Sequence, residues 1–473
     1  MKRLVVILAA AAFTQVVAAT GLNADFGVEK RPFRRALHSS GFAPRITSFG
    51  ETFNDVKSLN FEYSRTHDHA LVNDGQRIFD VHFIFPLMHL DAKDPNNYFF
   101  KATDHAMKRM RDAGLKVFYR LGTSIEHSGP TVHFNSLIPE DFDKMAEVFA
   151  ATVRHYNKGW ANGFYWDVKY WEIWNEPNIN NSMWCLPDGD NGDGKKEIRQ
   201  KLFVEFFVKC LKRLKSEFPD IKVGGPALAD YHESYFRAIF DACKKEGIEP
   251  DFVSWHHYGH NLDTNFKAAE ELRRLCDSYG FTKCELILNE WHYLGDYSWG
   301  GLASSDPKDI KKVWYGPASH NGIDSSIYTL SHFARFQSSV IDQAYFYGCR
   351  HTGNWGYMNG HKEKYKIWYA LKLYAPLAAN AAKVCASSND GSVTTLALKS
   401  ADGKKGWLLV SDYRGKEREL TLDVKGAGKV VSATLLDHER NNEPCKVKFE
   451  NGKLHLKKEL PGSAAFLVTF SID

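Results

Sequence analysis

Between Ala36 and about Pro376 the chain alternates short β-rich runs with longer amphipathic stretches, and this alternation narrows its fold more than any other feature. Strands separated by helix-sized segments form βα units around a parallel sheet. The runs that read as strands are Ala36–Phe42, Asn60–Thr66, Leu115–Leu121, Lys169–Trp174, Ile221–Pro226, Asp251–His257, Glu285–Asn289 and Ile341–Tyr347. Helices lie between them. Pro139-Glu140-Asp141 opens one with acids in its first turn, and Met145, Val148, Phe149 and Val153 then repeat at helical spacing. Lys196 to Phe218 reads as another, with Leu202, Phe203, Phe206, Phe207, Cys210 and Leu214 on one face. Eight strands with helices between them are what a closed (β/α)8 barrel, a TIM barrel, requires.

The tail has a different rhythm. From about residue 381 to 473, short alternating runs dominate: Val393–Leu398, Gly406–Ser411, Glu419–Val424, Val430–Leu436, Lys446–Phe449 and Ala464–Ile472. Asn389-Asp390-Gly391, Ala401-Asp402-Gly403 and Asn451-Gly452 punctuate them as turns. The expectation is an antiparallel β-sandwich following a barrel over 36–376, with the segment 22–35 placed to add a strand to it. There is no low-complexity linker, so the two should pack firmly.

Residues 1–19 read as a signal peptide. Lys2 and Arg3 precede the apolar run Leu4 to Ala12, and Val17-Ala18-Ala19 offers the small residues of a cleavage site. The run is too short to span a bilayer, and no other apolar stretch approaches the roughly 20 residues that spanning takes. An exported protein, periplasmic or extracellular, is expected. Net charge is only +4, which argues against nucleic-acid or membrane-surface partners, since both call for concentrated basic patches. The eight cysteines show no CxxC or metal-finger spacing. Cys276 and Cys284 are near enough in sequence to bridge, although export only permits disulfides and buried thiols are the commoner state.

Two strand ends carry the chemistry. In Trp171-Glu172-Ile173-Trp174-Asn175-Glu176-Pro177-Asn178, Pro177 stops the ladder and leaves Asn175 and Glu176 at the C-terminal rim, where β/α barrels build their sites. In Glu285-Leu286-Ile287-Leu288-Asn289-Glu290-Trp291, an apolar strand again ends in a carboxylate. A lone rim Glu is weak evidence, but these two lie on the fourth and seventh strands and face each other across the mouth. Glycosidic cleavage needs such a pair, one carboxyl protonated to donate to the leaving oxygen and one ionised to attack the anomeric carbon. Glu290 needs a partner to stay ionised, and Arg65 at the end of the second strand can supply it.

These residues resemble glycoside hydrolase clan A through Trp174-Asn175-Glu176-Pro177-Asn178. With Arg65-Thr66-His67, Gly224-Gly225-Pro226-Ala227 and Asp251-Phe252-Val253-Ser254-Trp255-His256 followed by Tyr258, they look most like family 39, the β-xylosidases and α-L-iduronidases. The resemblance runs from about Phe26 to Tyr374. It implies Glu176 as acid/base and Glu290 as nucleophile of a retaining hydrolase acting on oligo- or polysaccharides. It further implies Asn175 on the sugar 2-hydroxyl, Arg65 and His67 beside the nucleophile, and His256 and Tyr258 orienting the sugar or the nucleophile. Asn289-Glu290-Trp291 departs from the Thr-Glu-aromatic order of the family, which loosens any inference of substrate. A cellulase-like endo-glycanase of the same clan and a transglycosylase remain open beside it. A non-catalytic glycan binder would keep the aromatics but need neither carboxylate.

No metal or cofactor is implied. Adjacent strand residues such as His256 and His257 point to opposite faces and do not readily share a ligand. The loop Asp188-Gly189-Asp190-Asn191-Gly192-Asp193-Gly194 places Gly and Asp where a calcium loop needs an acid and Gly. Trp184, Trp299 and Trp355, in long loops after strands four, seven and eight, are candidates to stack on sugar or to cap the core, and Trp355 is taken as a substrate contact.

Overall fold

The computed structural model describes residues 21–41, 44, 46–47, 50–67, 77–123, 136–179, 183–187, 192–416 and 419–472. The expected signal peptide, Phe42 and residues 188–191 of the Asp/Gly-rich loop lie outside them. Eight strands close a barrel: Ser39–Gly41, Tyr63–Arg65, Lys116–Leu121, Tyr170–Ile173, Lys222–Leu228, Phe252–Gly259, Glu285–Tyr293 and Gln343–Phe346. Every strand lies beside its neighbour in the chain, the eighth pairs with the first, and all pairs are parallel. The TIM-barrel expectation therefore holds, and each strand falls on or overlaps the run that the sequence marks for it.

Local signals explain the helices around it. The helix Phe142–Lys158 starts where the Asp141 carboxylate accepts from Lys144 N–H at 2.9 Å, and stops at Gly159 in the left-handed region. Lys196–Glu217 buries Phe203, Phe206, Phe207, Cys210 and Leu214, with Leu202 only half-buried at the edge of that face. Inside the barrel, Phe118, Tyr170, Phe252, Ile287 and Tyr345 form a lower apolar layer, with Tyr63 against it. One layer higher the inward positions turn polar, and that change of character marks the end of the barrel where chemistry can occur.

The second unit is one ten-stranded sheet. Its order is Asn441–Pro444, Val430–Leu436, Ala464–Ser471, Lys405–Asp412, Val393–Ser400, Ala381–Ser387, Leu22–Pro32, Glu419–Lys425, Lys453–Lys457 and Lys448–Glu450. The two ends share a core in which Leu422, Leu454 and Leu456 join Leu408, Val410, Leu435, Phe466 and Val468, so the sheet is layered as a sandwich. One pair departs from the antiparallel expectation: Leu22–Pro32 runs parallel to Glu419–Lys425. All eight cysteines, Cys276 and Cys284 included, carry free thiols.

The barrel and the sheet meet around the helix Ile323–Phe336, in which every residue but Arg335 is buried. Leu396, Leu398, Trp407, Leu409 and Leu467 turn their side chains from the sandwich into the barrel's own hydrophobic cluster. The run Trp407-Leu408-Leu409-Val410 is continuous because both faces of that strand are buried. Polar contacts fix the orientation: Arg414 donates to Asp324 Oδ2 and to the Tyr293 hydroxyl, each at 2.8 Å, and the Ser463 hydroxyl donates to Asp324 Oδ1 at 2.6 Å. The helix Lys366–Asn380 passes directly into strand Ala381–Ser387. Limited proteolysis is therefore expected to release no stable barrel, and two folded fragments parted near residues 377–384 would contradict this packing.

Candidate active site

The fourth strand ends in an abrupt change of direction. Trp174 and Glu176 both have φ in the left-handed region, +74° and +46°, a conformation that costs a non-glycine residue about 1–2 kcal/mol. The turn sends the Trp174 indole outward, where its Nε1 donates to Met183 C=O at 2.7 Å and its rings meet Trp184 and Phe206. Asn175 and Glu176 are left facing the barrel mouth. Neighbouring backbone holds them there: Glu176 N–H donates to Ala227 C=O at 2.9 Å, and Ala229 N–H donates to Asn178 Oδ1 at 2.9 Å.

The seventh strand breaks the alternation rule. Its register with the sixth slips between Leu288 and Glu290, so that Asn289 is the extra residue of a β-bulge. Two consecutive side chains thereby turn inward. Asn289 Nδ2 donates to Glu172 Oε1 at 2.7 Å, while the next residue, Glu290, reaches Arg65. Trp291 points outward against His332, Phe333 and Phe336. The Asn at position 289 thus has a use of its own at the foot of the site.

Arg65 is the hub. Its guanidinium donates from Nε to Glu172 Oε2 at 2.7 Å, from Nη1 to Glu290 Oε1 at 2.8 Å and from Nη2 to Asn175 Oδ1 at 2.7 Å. The side chain is 1% exposed, so its role is beneath the sugar site, reaching it through Glu290 and Asn175. Burial alone would loosen its proton, but the charges of Glu172 and Glu290 outweigh that and raise its pKa. Glu172 also accepts from the Ser254 hydroxyl at 2.6 Å. Sequence reasoning passed over Glu172 and Ser254, although a carboxylate at an inward position of an apolar strand is itself a signal.

Around the two rim carboxylates the expected partners assemble. His256 Nδ1 lies 2.7 Å from Glu176 Oε1 and 3.3 Å from Glu290 Oε2. The Tyr258 hydroxyl donates to Glu290 Oε2 at 2.7 Å, and His67 Nε2 is 3.3 Å from Glu290 Oε1. Burial pushes the Glu290 carboxyl above the usual carboxylate range, against the pull of His256 and Arg65, with Glu176 adding to the rise and the Tyr258 hydrogen bond opposing it. This reverses the expectation that the cation would hold Glu290 low: the desolvation of a fully enclosed carboxylate is the larger effect. Asn175 Nδ2 is buried with no partner among the described residues.

A cavity of about 470 Å³ opens above, lined by Glu176, Ile179, Ala229, Asp230, His256, His257, Tyr258 and Trp299. Trp355 stands behind Tyr258, 5.3 Å between ring centroids, and packs on His320 and Tyr347. Trp184 is fully buried and caps the core. Glu176, His256 and Glu290 offer ligand atoms within 4.8 Å of one another, the one group among the described residues that could gather round a cation. The short contacts of the Glu290 oxygens with Arg65 and Tyr258, and of Glu176 with His256, account for this closeness without an ion.

Fold and rim together define a β/α barrel with two carboxylates paired at the C-terminal mouth. A profile described as "Glycosyl hydrolases family 39" matches residues 30–276, and the chain belongs to that family. Among curated relatives, the β-xylosidase of Geobacillus stearothermophilus is 24% identical over 210 residues, 43% of this chain and 37% of its own length. The β-xylosidase of Caldicellulosiruptor saccharolyticus is 26% identical over 174 residues, 35% and 32% of the two chains. The chain therefore matches about a third of the length of these relatives. Among solved structures, a glucosidase from Croceicoccus marinus superposes with a TM-score of 0.72 at 20% identity, over 96% of this chain and 99% of the other. A family 39 β-xylosidase from Caulobacter crescentus does so at 0.65 and 16%, over 95% and 99%. At such identities the likeness is one of fold.

Because Arg65 is the guanidinium shared by two enclosed carboxylates, Arg65→Met is expected to cost about 3–5 kcal/mol, the penalty for leaving a buried charge unpaired. Urea unfolding measures it. A loss below about 1 kcal/mol would mean that the fold does not depend on the guanidinium to hold these carboxylates together.

Proposed function

We propose that the protein is a retaining glycoside hydrolase in which Glu176 is the general acid/base and Glu290 the nucleophile. The observation that carries this is the closeness of the two carboxylates, one oxygen of Glu176 lying within 4.8 Å of one oxygen of Glu290. Retention by direct attack uses a gap of about 5–5.5 Å, while inversion needs roughly 6.5–9.5 Å to admit a water. Glu290, ionised and steadied by Arg65 and Tyr258, attacks the anomeric carbon as Glu176 gives its proton to the departing oxygen. Glu176 then takes a proton from the water that releases the sugar. Asn175 Nδ2, without a partner among the described residues, is a donor for the 2-hydroxyl, a contact that strengthens toward the oxocarbenium-like state.

For the sugar, we take a neutral glycone, first of all a β-xyloside. The names of the curated relatives favour it. Export to the periplasm or beyond, read from residues 1–19, suits action on oligo- or polysaccharides outside the cytoplasm.

Chromogenic β-xyloside, α-L-iduronide and α-L-arabinoside identify the glycone. An NMR time course on the cleaved substrate should then show a first product of unchanged anomeric configuration, and inversion would end the proposal. The matching 2-fluoro sugar with a good leaving group should trap an ester on Glu290; a label on another carboxylate would remove Glu290 from its role.

The phenol of Tyr258 favours the ionised form of Glu290, so Tyr258→Phe raises the carboxyl's pKa further. The acid limb of kcat/KM, which reports the free enzyme, should move to higher pH while the alkaline limb stays. An unmoved acid limb would show that some other group governs it.

A further inference from the structure

We infer that the cavity beyond Glu176 is a leaving-group subsite that accepts neutral or cationic aglycones and turns away anionic ones, with Asp230 as its charge filter and Trp299 as its platform. This rests on the hydrolase reading above, since Glu176 marks where the departing oxygen must lie. Past Glu176 the wall consists of Ile179, Ala229, Asp230, His257 and Trp299. The ionisable groups lining the cavity are the carboxylates of Glu176 and Asp230, the imidazoles of His256 and His257 and the phenol of Tyr258, with no Lys or Arg among the described residues.

Asp230 is placed by design of the loop after the fifth strand. Asn178, two residues beyond Glu176, accepts from Ala229 N–H at 2.9 Å and so ties this loop to the turn that carries the acid. Asp230 itself has φ +84°, a conformation tolerated best by Gly, Asn and Asp. Its Oδ1 accepts from Tyr231 N–H at 2.9 Å and lies 3.2 Å from His257 Nδ1. Oδ2 has no partner among the described residues, and the side chain is 63% exposed. Although partial burial works the other way, His257 and the Tyr231 amide hold the carboxyl below the usual carboxylate range. Trp299, in the same lining, is 53% exposed, its ring set edge-on to Tyr258 at 4.9 Å between centroids. An exposed indole and a hydrogen-bond acceptor lining one cavity suit a sugar or aryl ring with hydroxyl or amide donors on its edge.

The test compares two aryl glycosides of the glycone the enzyme cleaves, one with a 4-carbamoylphenyl and one with a 4-carboxyphenyl leaving group. Wild type should prefer the carbamoyl aglycone roughly three- to ten-fold in kcat/KM beyond what their leaving-group acidities account for, the size of one screened like-charge contact, and added salt should shrink the margin. Asp230→Asn, which keeps the side-chain shape and the tolerance for positive φ, should erase the preference by raising kcat/KM for the carboxylate. Trp299→Ala should raise KM for both aglycones. Turnover with the same ratio in wild type and Asp230→Asn overturns the assignment while leaving the hydrolase reading standing. Absence of turnover on either aglycone takes both down together.

Discussion

A single buried guanidinium sets the spacing of this site. Arg65 comes from the second strand, Glu172 and Asn175 from the fourth and Glu290 from the seventh. Those strands meet only when the barrel is closed, so the contacts exist only in the finished fold. An ion cluster this enclosed is weak evidence of net stabilisation, because stripping water from the charges costs nearly as much as their attraction returns. Its consequence is positional. The guanidinium's planar fork fixes one oxygen of Glu290, the Tyr258 phenol fixes the other, and the carboxylate cannot turn away from the mouth. Burial exacts the opposite effect on its proton, raising the pKa of the group that must be ionised to attack.

The large features were legible in the sequence because they follow from periodicity. Eight β-rich runs, spaced by amphipathic segments, mark eight barrel strands, and the Asn-Glu-Pro turn marks the rim. What was hidden depends on local breaks in periodicity. The bulge at Asn289 turns two successive residues inward, and nothing in Leu288-Asn289-Glu290 announces it. His256 and His257 alternate as expected, yet the cavity wraps around the strand end and touches both. Glu172 was visible as a residue but not as a partner, since its ligands Arg65, Ser254 and Asn289 come from three other strands. In the sheet, the parallel pairing of Leu22–Pro32 joins segments that no turn connects, and turn chemistry was the only register signal available.

The sandwich also bears on the site. Tyr293, three residues past Glu290 on the same strand, has its hydroxyl bonded by Arg414 from the sheet, and Arg414 in turn holds Asp324 at the start of the interposed helix. The strand that carries the nucleophile is thus braced from outside the barrel as well as from within by Arg65. An accessory unit packed in this way acts as a buttress, which accounts for the direct passage from helix to strand at residue 381.

The strand Leu22–Pro32 lies between Ala381–Ser387 and Glu419–Lys425, near the middle of the sheet. Asn23 N–H and the Ser388 hydroxyl that accepts from it are 365 residues apart. During synthesis this early segment emerges long before its neighbours exist, and it must wait unpaired while the whole barrel is made. Pairings of such long range are slow to close. The gap it fills closes only once residues 381–387 and 419–425 have been made, so the earliest strand of this unit is among the last to be paired.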